Sequence, residues 1–305
     1  MQFNYIYFYN KVKIMKNSAP FLKKFQFLLL MISFGALGPI LREITLPVPV
    51  TVCLRAWFAA IAIFIFILFT HRTYKKDDIQ LFLKPICLCG IMLAIDWIGL
   101  FSSYNYTTIA TATVCYYIVP ILVLIASPFV LNEKFTVRHA ICTIIAFCGI
   151  ILVSGAAEHG LPAFSELKGI FFAVIGAIAY AAIILLNKKY PKGDTYLRTA
   201  IQLSTAAIFT TPYILCTTDI CALDYTLKNI LLLIVLGVGL TAVTYILYFK
   251  LIITIPVRTV AIFSYADPVA AVIISIFFLG EPITFSGLIG SIMIIGAAII
   301  AEYQP

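Results

Sequence analysis

Charged side chains are scarce in this chain of 305 residues, of which Asp, Glu, Lys and Arg together make up 11%. Soluble domains carry roughly 25% charged residues and about 45–50% apolar ones. Hydrophobic residues here reach 63%, and the mean hydropathy is +1.07. So little charge cannot keep a protein surface in water. The composition therefore excludes a soluble globular fold and predicts an integral membrane protein.

Motifs of catalysis are missing as well. The three histidines, His71, His139 and His159, lie near predicted loops. The sequence has no H-E-x-x-H zinc motif, no G-x-S-x-G elbow and no Walker lysine. We therefore expect neither an enzyme nor a cofactor or metal site. An intramembrane enzyme or a non-transporting membrane protein is the alternative from another class.

Ten apolar segments are long enough to cross a membrane, which takes about 20 residues of helix. The alternating pattern of a membrane β-barrel is absent. The sequence thus predicts an all-α integral membrane protein with ten transmembrane helices. Their expected positions are roughly 25–45, 49–70, 79–101, 108–131, 136–155, 166–187, 195–216, 229–251, 258–279 and 284–302.

Lys and Arg are distributed unevenly between the loops of this topology. One side holds most of them, whereas the other keeps Arg42, Lys168 and Lys228. Positive charge concentrates in cytoplasmic loops, so we expect a multi-pass protein of the cytoplasmic (inner) membrane with both termini cytoplasmic. The net charge of +8 is then a topology signal with a weak attraction to membrane lipid, and no nucleic-acid partner is expected. Residues 1–20 form a short cytoplasmic lead-in.

A repeat with an offset of 148 residues runs through the chain: Tyr117, Pro120 and Glu133 recur as Tyr265, Pro268 and Glu281. It predicts two five-helix units, at residues 21–155 and 165–304. An odd number of spans inverts the second unit relative to the first, which is a frequent architecture of carriers that expose one site alternately to either side. The sequence therefore favours a transporter.

The repeat also carries a family resemblance. The stretches Y-A-D-P-V at 265–269 and F-L-G-E-P-I-T at 278–284 resemble the end of an EamA domain of the drug/metabolite transporter superfamily, and residues 118–120 and 131–136 resemble the same motif. The resemblance covers residues 21–304. It implies ten spans in two inverted repeats and transport of amino acids, metabolites or drugs. Asp267 stands where related sequences often carry glutamate or an apolar residue, which leaves the substrate open.

Ionisable side chains inside spans are costly and usually face protein or water rather than lipid. Arg55, Asp96 and Asp267 fit this description. Asp96 and Ser103 share a helix face, and the equivalent helix of the second unit has its own polar stripe. Together these residues predict a substrate cavity, although the alternative is hydrogen bonding between helices. The candidate cavity residues are Arg55, Asp96, Ser103, Gln202, Thr241, Thr244, Tyr245, Tyr248 and Asp267.

Two prolines, Pro120 and Pro268, are expected to kink their helices, because a proline inside a helix leaves a carbonyl without its donor. Near Asp267, a freed carbonyl suits a cation, a proton or an amino group; the alternative is a kink that only shapes packing. Tyr265 is expected to make a contact between the units. Arg55 either reaches the interface or balances Asp96, Asp267 or a substrate carboxylate.

The resemblance and these residues together predict a secondary transporter of a small polar or amphipathic metabolite that works by alternating access. Export of an amino acid or related compound is the first expectation, and it comes from the resemblance alone. Import of a nucleotide-like or sulfonium compound is the alternative. Asp96 or Asp267 would couple transport to protons. The protein is expected to be a monomer or a homodimer.

Overall fold

The computed structural model describes residues 21–34, 40, 43–74, 76–107, 109–133, 136–153, 164–274 and 285–302. The lead-in at residues 1–20 and Glu281 lie outside these ranges. Every regular element within them is helical. We number the helices α1 (residues 21–34), α2 (Val48–Phe69), α3 (Lys76–Ser103), α4 (Ile109–Tyr116), α5 (Val119–Leu131), α6 (Val137–Val153), α7 (Leu167–Lys189), α8 (Thr195–Thr217), α9 (Leu227–Thr254), α10 (Val257–Phe263), α11 (Ala266–Ile274) and α12 (Phe285–Glu302).

Within the described ranges, six helical segments are long and apolar enough to cross a membrane: Val48–Phe69, Phe82–Ser103, Thr111–Leu131, Leu167–Lys189, Thr195–Thr217 and Leu227–Thr254. Val137–Val153 and Phe285–Ala301 are shorter apolar helices. Large apolar side chains also cover the outside of the bundle; Phe129, for example, is 85% exposed. Helices that satisfy their own backbone and present such a surface suit a lipid environment. The multi-pass helical prediction is therefore confirmed.

The helices pack closely through small residues. α3 packs against α7, α2 against α8, and α6 against α12. A Cβ placed on Gly149 would lie 2.7 Å from the carbonyl oxygen of Gly290, and one on Gly290 would lie 2.5 Å from that of Gly149. Small residues allow such close approach between membrane helices. The contact between α6 and α12 therefore depends on both glycines.

Two of the expected spans are broken at the same point. α4 ends at Tyr116 and α5 begins at Val119, while α10 ends at Phe263 and α11 begins at Ala266. Each break precedes a proline, which has no N–H to donate and crowds the preceding turn. Pro120 and Pro268 accordingly stand in the first turn of α5 and α11, a position that proline tolerates.

The two ends of the bundle differ in their charges. At one end, the Lys188 ammonium lies 3.8 Å from the Glu133 carboxylate, and Arg72 lies 2.8 Å from Asp194. Arg198 is buried at the same end and donates to the carbonyl of Lys192. We call this the basic end. At the opposite end, polar contacts join the segment before α2 to the start of α9, as between Thr45 and Asn229.

Candidate functional site

A buried arginine lies deep in the bundle, beside an aspartate of the neighbouring helix. Arg55 of α2 is 3% exposed and Asp96 of α3 is 2% exposed. The guanidinium carbon of Arg55 lies 4.0 Å from the ring centre of Trp97, a cation–π geometry. Arg55 lies within electrostatic range of Asp96, and its Nε atom has no hydrogen-bond partner. Arg55 therefore points into the protein instead of reaching the membrane interface.

Two adjacent tyrosines at the break between α4 and α5 each bind a carboxylate. The Tyr116 hydroxyl donates to Oδ1 of Asp96 at 2.9 Å, and the Tyr117 hydroxyl donates to Oδ2 of Asp267 at 2.8 Å. Asp267 belongs to the first turn of α11, where the helix dipole favours a negative charge. The broken helix of the first unit thus joins the acid of α3 to the acid of α11.

Further tyrosines complete the wall around these groups. Tyr180 of α7 donates to the hydroxyl of Tyr248 of α9 at 2.8 Å, and the two rings stack with their centres 6.3 Å apart. Tyr180 also stacks on Tyr116 at 6.1 Å, and Tyr245 meets Trp97 edge-on at 5.9 Å. We call the whole set the central cluster. Its members are Arg55, Asp96, Trp97, Tyr116, Tyr117, Tyr180, Tyr245, Tyr248 and Asp267.

Five of the nine cavity residues expected from sequence meet in this cluster: Arg55, Asp96, Tyr245, Tyr248 and Asp267. The central cluster contains both carboxylates and the buried guanidinium. Tyr245 lies within electrostatic range of all three charged groups. The rule that ionisable residues inside a span face protein thus locates the charged part of the site.

The other four make different contacts. Hydroxyl groups of Ser103, Thr241 and Thr244 donate to carbonyls of their own helices, at Leu100, Leu236 and Leu240 respectively. Gln202 of α8 accepts from Asn187 at 3.5 Å, at the basic end. Short hydroxyl side chains in helices commonly bond to the preceding turn. On the polar face of α9, the two threonines therefore bond to the helix backbone, whereas Tyr245 and Tyr248 belong to the central cluster.

Four members of the central cluster were not among the sequence-based candidates: Trp97, Tyr116, Tyr117 and Tyr180. Aromatic residues are abundant here, at 14% of the chain, so none of them stands out by type. The signal that was available is the recurrence of Tyr117 as Tyr265. The two rings meet across the breaks with their centres 6.3 Å apart, in agreement with the expected contact between units.

A shallow pocket lies on the side of the central cluster away from the basic end. It encloses about 250 Å³, including open space, and is lined by the start of α2, the end of α3 and Asn105. Trp97 lines this pocket and also covers Arg55. At the basic end, Lys188 donates to the carbonyls of Ile252 and Ile255. Trp97 thus lies between this pocket and Arg55.

The contact of Glu133 with the second unit has a local cause. Asn132 follows α5 with a φ of 55°, the left-handed conformation that commonly ends helices. Glu133 is thereby placed at the start of α10, where its Oε2 accepts from the Val257 N–H at 3.2 Å. A carboxylate at a helix N-terminus satisfies an otherwise unpaired donor. Glu133 thus caps a helix of the second unit.

The central cluster combines three chemical properties. Arg55 offers a cationic donor, the two aspartates offer anionic acceptors, and the aromatic rings offer flat apolar faces that also attract cations. A small molecule with both a carboxylate and a positively charged group would find a partner for each. This arrangement suits the binding of an amphipathic zwitterion better than that of a purely apolar compound.

The chain is similar to known transporters along most of its length. The model of the EamA-like transporter family matches residues 24–155 and 167–302. The uncharacterized transporter YxxF of Bacillus subtilis is 28% identical over 227 residues, which cover 74% of this chain and 70% of that protein. A solved crystal structure resembles this fold with a TM-score of 0.80 over 92% of this chain and 97% of the other, at 17% identity.

Two further relatives have named substrates. The S-adenosylmethionine uptake transporter of Rickettsia bellii is 24% identical over 253 residues, with 82% of each chain covered. The protein of the same name from Rickettsia prowazekii is 24% identical over 258 residues, with 82% of this chain and 81% of the relative covered.

Proposed function

Because this membrane protein belongs to the EamA-like transporter family, we propose that it is a secondary transporter that moves an amphipathic solute of the amino-acid type by alternating access. The observation that carries the proposal is the central cluster, in which groups from both family-matched stretches meet. Arg55 and Asp96 come from the first stretch, and Tyr245 and Asp267 come from the second. The names of the relatives favour transport over intramembrane catalysis.

Alternating access rests on two inverted units at residues 21–155 and 165–304, ten spans in all. The packing supports this layout, because helix contacts occur in exchanged pairs. α3 contacts α8 and α2 contacts α9, which are related by swapping the units, while α2–α8 and α6–α12 join equivalent helices. Such exchange is what a two-fold axis in the membrane plane produces. The matching breaks before Pro120 and Pro268 support the same axis.

The basic end faces the cytoplasm in this proposal, because positive charge concentrates on that side. Both termini then lie in the cytoplasm of a cell with this protein in its cytoplasmic membrane. Lys188 and Glu133 hold the cytoplasmic end together, while the pocket beside Trp97 opens on the other side. The conformation described here thus corresponds to closure toward the cytoplasm.

Each part of the solute has a partner in the central cluster. The carboxylate binds Arg55, the amino group binds Asp96 or Asp267, and the side chain lies against the tyrosines. Kinked helices near the bilayer centre are common binding elements in such carriers. Export of amino acids or related metabolites is the first direction of transport. The solute-binding cavity forms when Trp97 and the tyrosines move apart.

Uptake of a sulfonium compound is the second candidate. It is favoured by the two Rickettsia relatives and by the number of aromatic rings around the site. A sulfonium ion is attracted to aromatic faces as an ammonium ion is. An adenine ring would also stack on the tyrosines. Proton coupling through Asp96 or Asp267 applies to either candidate, because protonation would remove a charge from the site between the two conformations.

Counterflow in proteoliposomes tests the proposal. Purified protein is reconstituted, loaded with an unlabelled amino acid or S-adenosylmethionine, and supplied with the same labelled compound. We expect saturable uptake of at least one compound, which Arg55→Met abolishes. Absence of saturable flux across amino acids, nucleosides and S-adenosylmethionine, with and without a pH gradient, would refute the proposed function. Flux that ignores the pH gradient and both aspartates would refute proton coupling alone.

A further inference from the structure

The charges of the central cluster do not balance. Arg55 contributes one positive charge, and Asp96 and Asp267 contribute two negative charges when ionised. The hydroxyls that bind these carboxylates, from Tyr116 and Tyr117, are neutral donors. With both aspartates ionised, the cluster therefore has an excess of one negative charge before a solute binds.

Two other cations that are largely buried, Arg198 and Lys188, are engaged elsewhere. Buried Arg198 donates to the carbonyl of Lys192 and to the side-chain oxygen of Asn187 at the basic end. Lys188 is held by Glu133 and by the end of α9. Neither side chain is placed to neutralise Asp96 or Asp267. While both aspartates are ionised, the missing positive charge has to come from the solute that the site binds.

Hydrogen-bonding capacity is also left over in the cluster. A carboxylate can accept about four hydrogen bonds, and Asp267 accepts one at 2.8 Å from Tyr117. The Nε–H of Arg55 is buried and has no acceptor, a state that costs free energy unless a ligand supplies one. Among the described residues, the site thus lacks an acceptor for the Nε–H of Arg55 and cationic donors that bind the two carboxylates.

We propose that the central cluster selects solutes of net charge +1 that contain one carboxylate and two cationic centres. Such a solute places its carboxylate on Arg55 and one cation beside each aspartate, so that the occupied site is neutral. A net charge enclosed in a low-dielectric interior is costly, so a neutral zwitterion of the same shape binds less well. Basic amino acids and sulfonium amino acids belong to this class. The inference rests on the proposed function and specifies its substrate class.

Two pairs of compounds differ almost only in this charge. Lysine and norleucine share a carboxylate, an amino group and an aliphatic chain. S-adenosylmethionine and S-adenosylhomocysteine differ by one methyl group and the sulfonium charge. Affinities are measured by calorimetry on the purified full-length protein, and flux is measured in proteoliposomes. We expect the charged member of the pair that is transported to bind about tenfold more tightly or better, a difference of roughly 1.4 kcal/mol.

Asp267→Asn brings the cluster to zero net charge and preserves an acceptor for the Tyr117 hydroxyl. We expect it to lose the preference for the charged compound and to bind the neutral one at least as well, whereas Asp267→Glu keeps the wild-type order. Equal affinities within both pairs in the wild-type protein, or an unchanged preference in Asp267→Asn, would overturn the inference. Equal affinities would leave the transporter itself intact. No saturable binding or flux of any of the four compounds would overturn the inference, and the proposed function falls with it only when the other amino acids and the nucleosides also show no flux. The wild-type comparison decides the matter even when a variant does not fold.

Discussion

The broken helix α4/α5 and its counterpart α10/α11 share a backbone and differ in chemistry. Both are interrupted just before a proline, and Tyr117 faces Tyr265 across the breaks. The first provides hydroxyl donors at Tyr116 and Tyr117, whereas the second provides the acceptor Asp267. The proposed repeat explains the shared geometry, and the complementary groups are the positions at which its two copies differ. A repeated fold has thus acquired a site to which its two units contribute unequally.

The strongest test of whether the two units contribute unequally to the site compares Asp96 with Thr244, which lie at equivalent positions of the repeat. Asp96→Asn removes the acid beside Arg55 and leaves a buried guanidinium with less counter-charge, at a cost of about 2–5 kcal/mol. We expect solute flux in proteoliposomes to fall by about tenfold or more. Thr244→Val removes a hydroxyl that bonds only to the carbonyl of Leu240 in the contacts described, and flux should stay within about twofold. Equal losses would show that the two units contribute alike.

The facing tyrosines come next. Tyr117→Phe removes the donor to Asp267, and a hydrogen bond to a charged group contributes about 1.5–3 kcal/mol. We expect solute affinity to fall roughly tenfold or more. The buried hydroxyl of Tyr265 has no hydrogen-bond partner among the residues that the structure describes, so Tyr265→Phe should leave affinity unchanged and leave the melting temperature unchanged or higher. Calorimetry and thermal unfolding give both readouts. A loss of affinity in Tyr265→Phe would mean that its hydroxyl takes part in binding.

The charged part of the central cluster and the interruptions of the helices near Pro120 and Pro268 could be predicted from sequence for a physical reason. A charge or a proline inside a span is expensive, so each is rare and informative. The membership of Tyr116 and Tyr180 in the cluster could not be predicted, because an aromatic ring packs equally well against lipid, in the core or beside a solute. The contact between Tyr117 and Asp267 depends on how two breaks meet across the units, which local pattern does not encode.

The threonines of α9 were predicted to line the cavity, but they have a different role. Thr241 and Thr244 lie on the expected polar face, but each hydroxyl bonds to its own helix. The segment Val235–Val243 is a π-helix, in which the Thr241 hydroxyl donates to the carbonyl of Leu236, five residues earlier. The spacing of an α-helix thus predicts the buried face shared by the two threonines, Tyr245 and Tyr248, but not that the threonine hydroxyls bond to the backbone. Helix positions were therefore easier to predict than side-chain roles.

The two units differ in their site residues, but they should contribute equally to the packing between α6 and α12. Gly149→Ala and Gly290→Ala each push a methyl group against the facing backbone, and overpacking of this kind costs about 1–3 kcal/mol. We expect similar decreases in the melting temperature for both. Gly296→Ala is the control, because a Cβ there meets nothing within 4 Å. A large effect of only one of the two substitutions would break the equivalence of α6 and α12.

A smaller effect is expected at the basic end, where the start of α10 is held by Glu133. Lys188 pairs with this carboxylate at 3.8 Å and donates to the end of α9. Lys188→Gln should lower stability by about 1 kcal/mol, since Glu133 is partly exposed and solvent weakens the pair. It should also speed labelling of a cysteine introduced at Val257 from the cytoplasmic side. Unchanged labelling would mean that Lys188 does not hold this end closed.

Lys228→Gln is the matched substitution at the opposite end and should have the smallest effect of all. Lys228 and Glu43 lie 2.6 Å apart, but their side chains are 64% and 61% exposed. The hydrogen bond and charge of Lys228 lower the pKa of Glu43. The contribution of the pair to stability is therefore complete above the ordinary pKa range of a carboxyl group. It is lost as the pH falls through the lowered pKa. Thermal unfolding at neutral pH should show no measurable change, and any small difference should vanish on acidification or in high salt. A decrease as large as that of Lys188→Gln would mean that both ends are held equally firmly, and the assignment of the basic end as the closed one would be wrong.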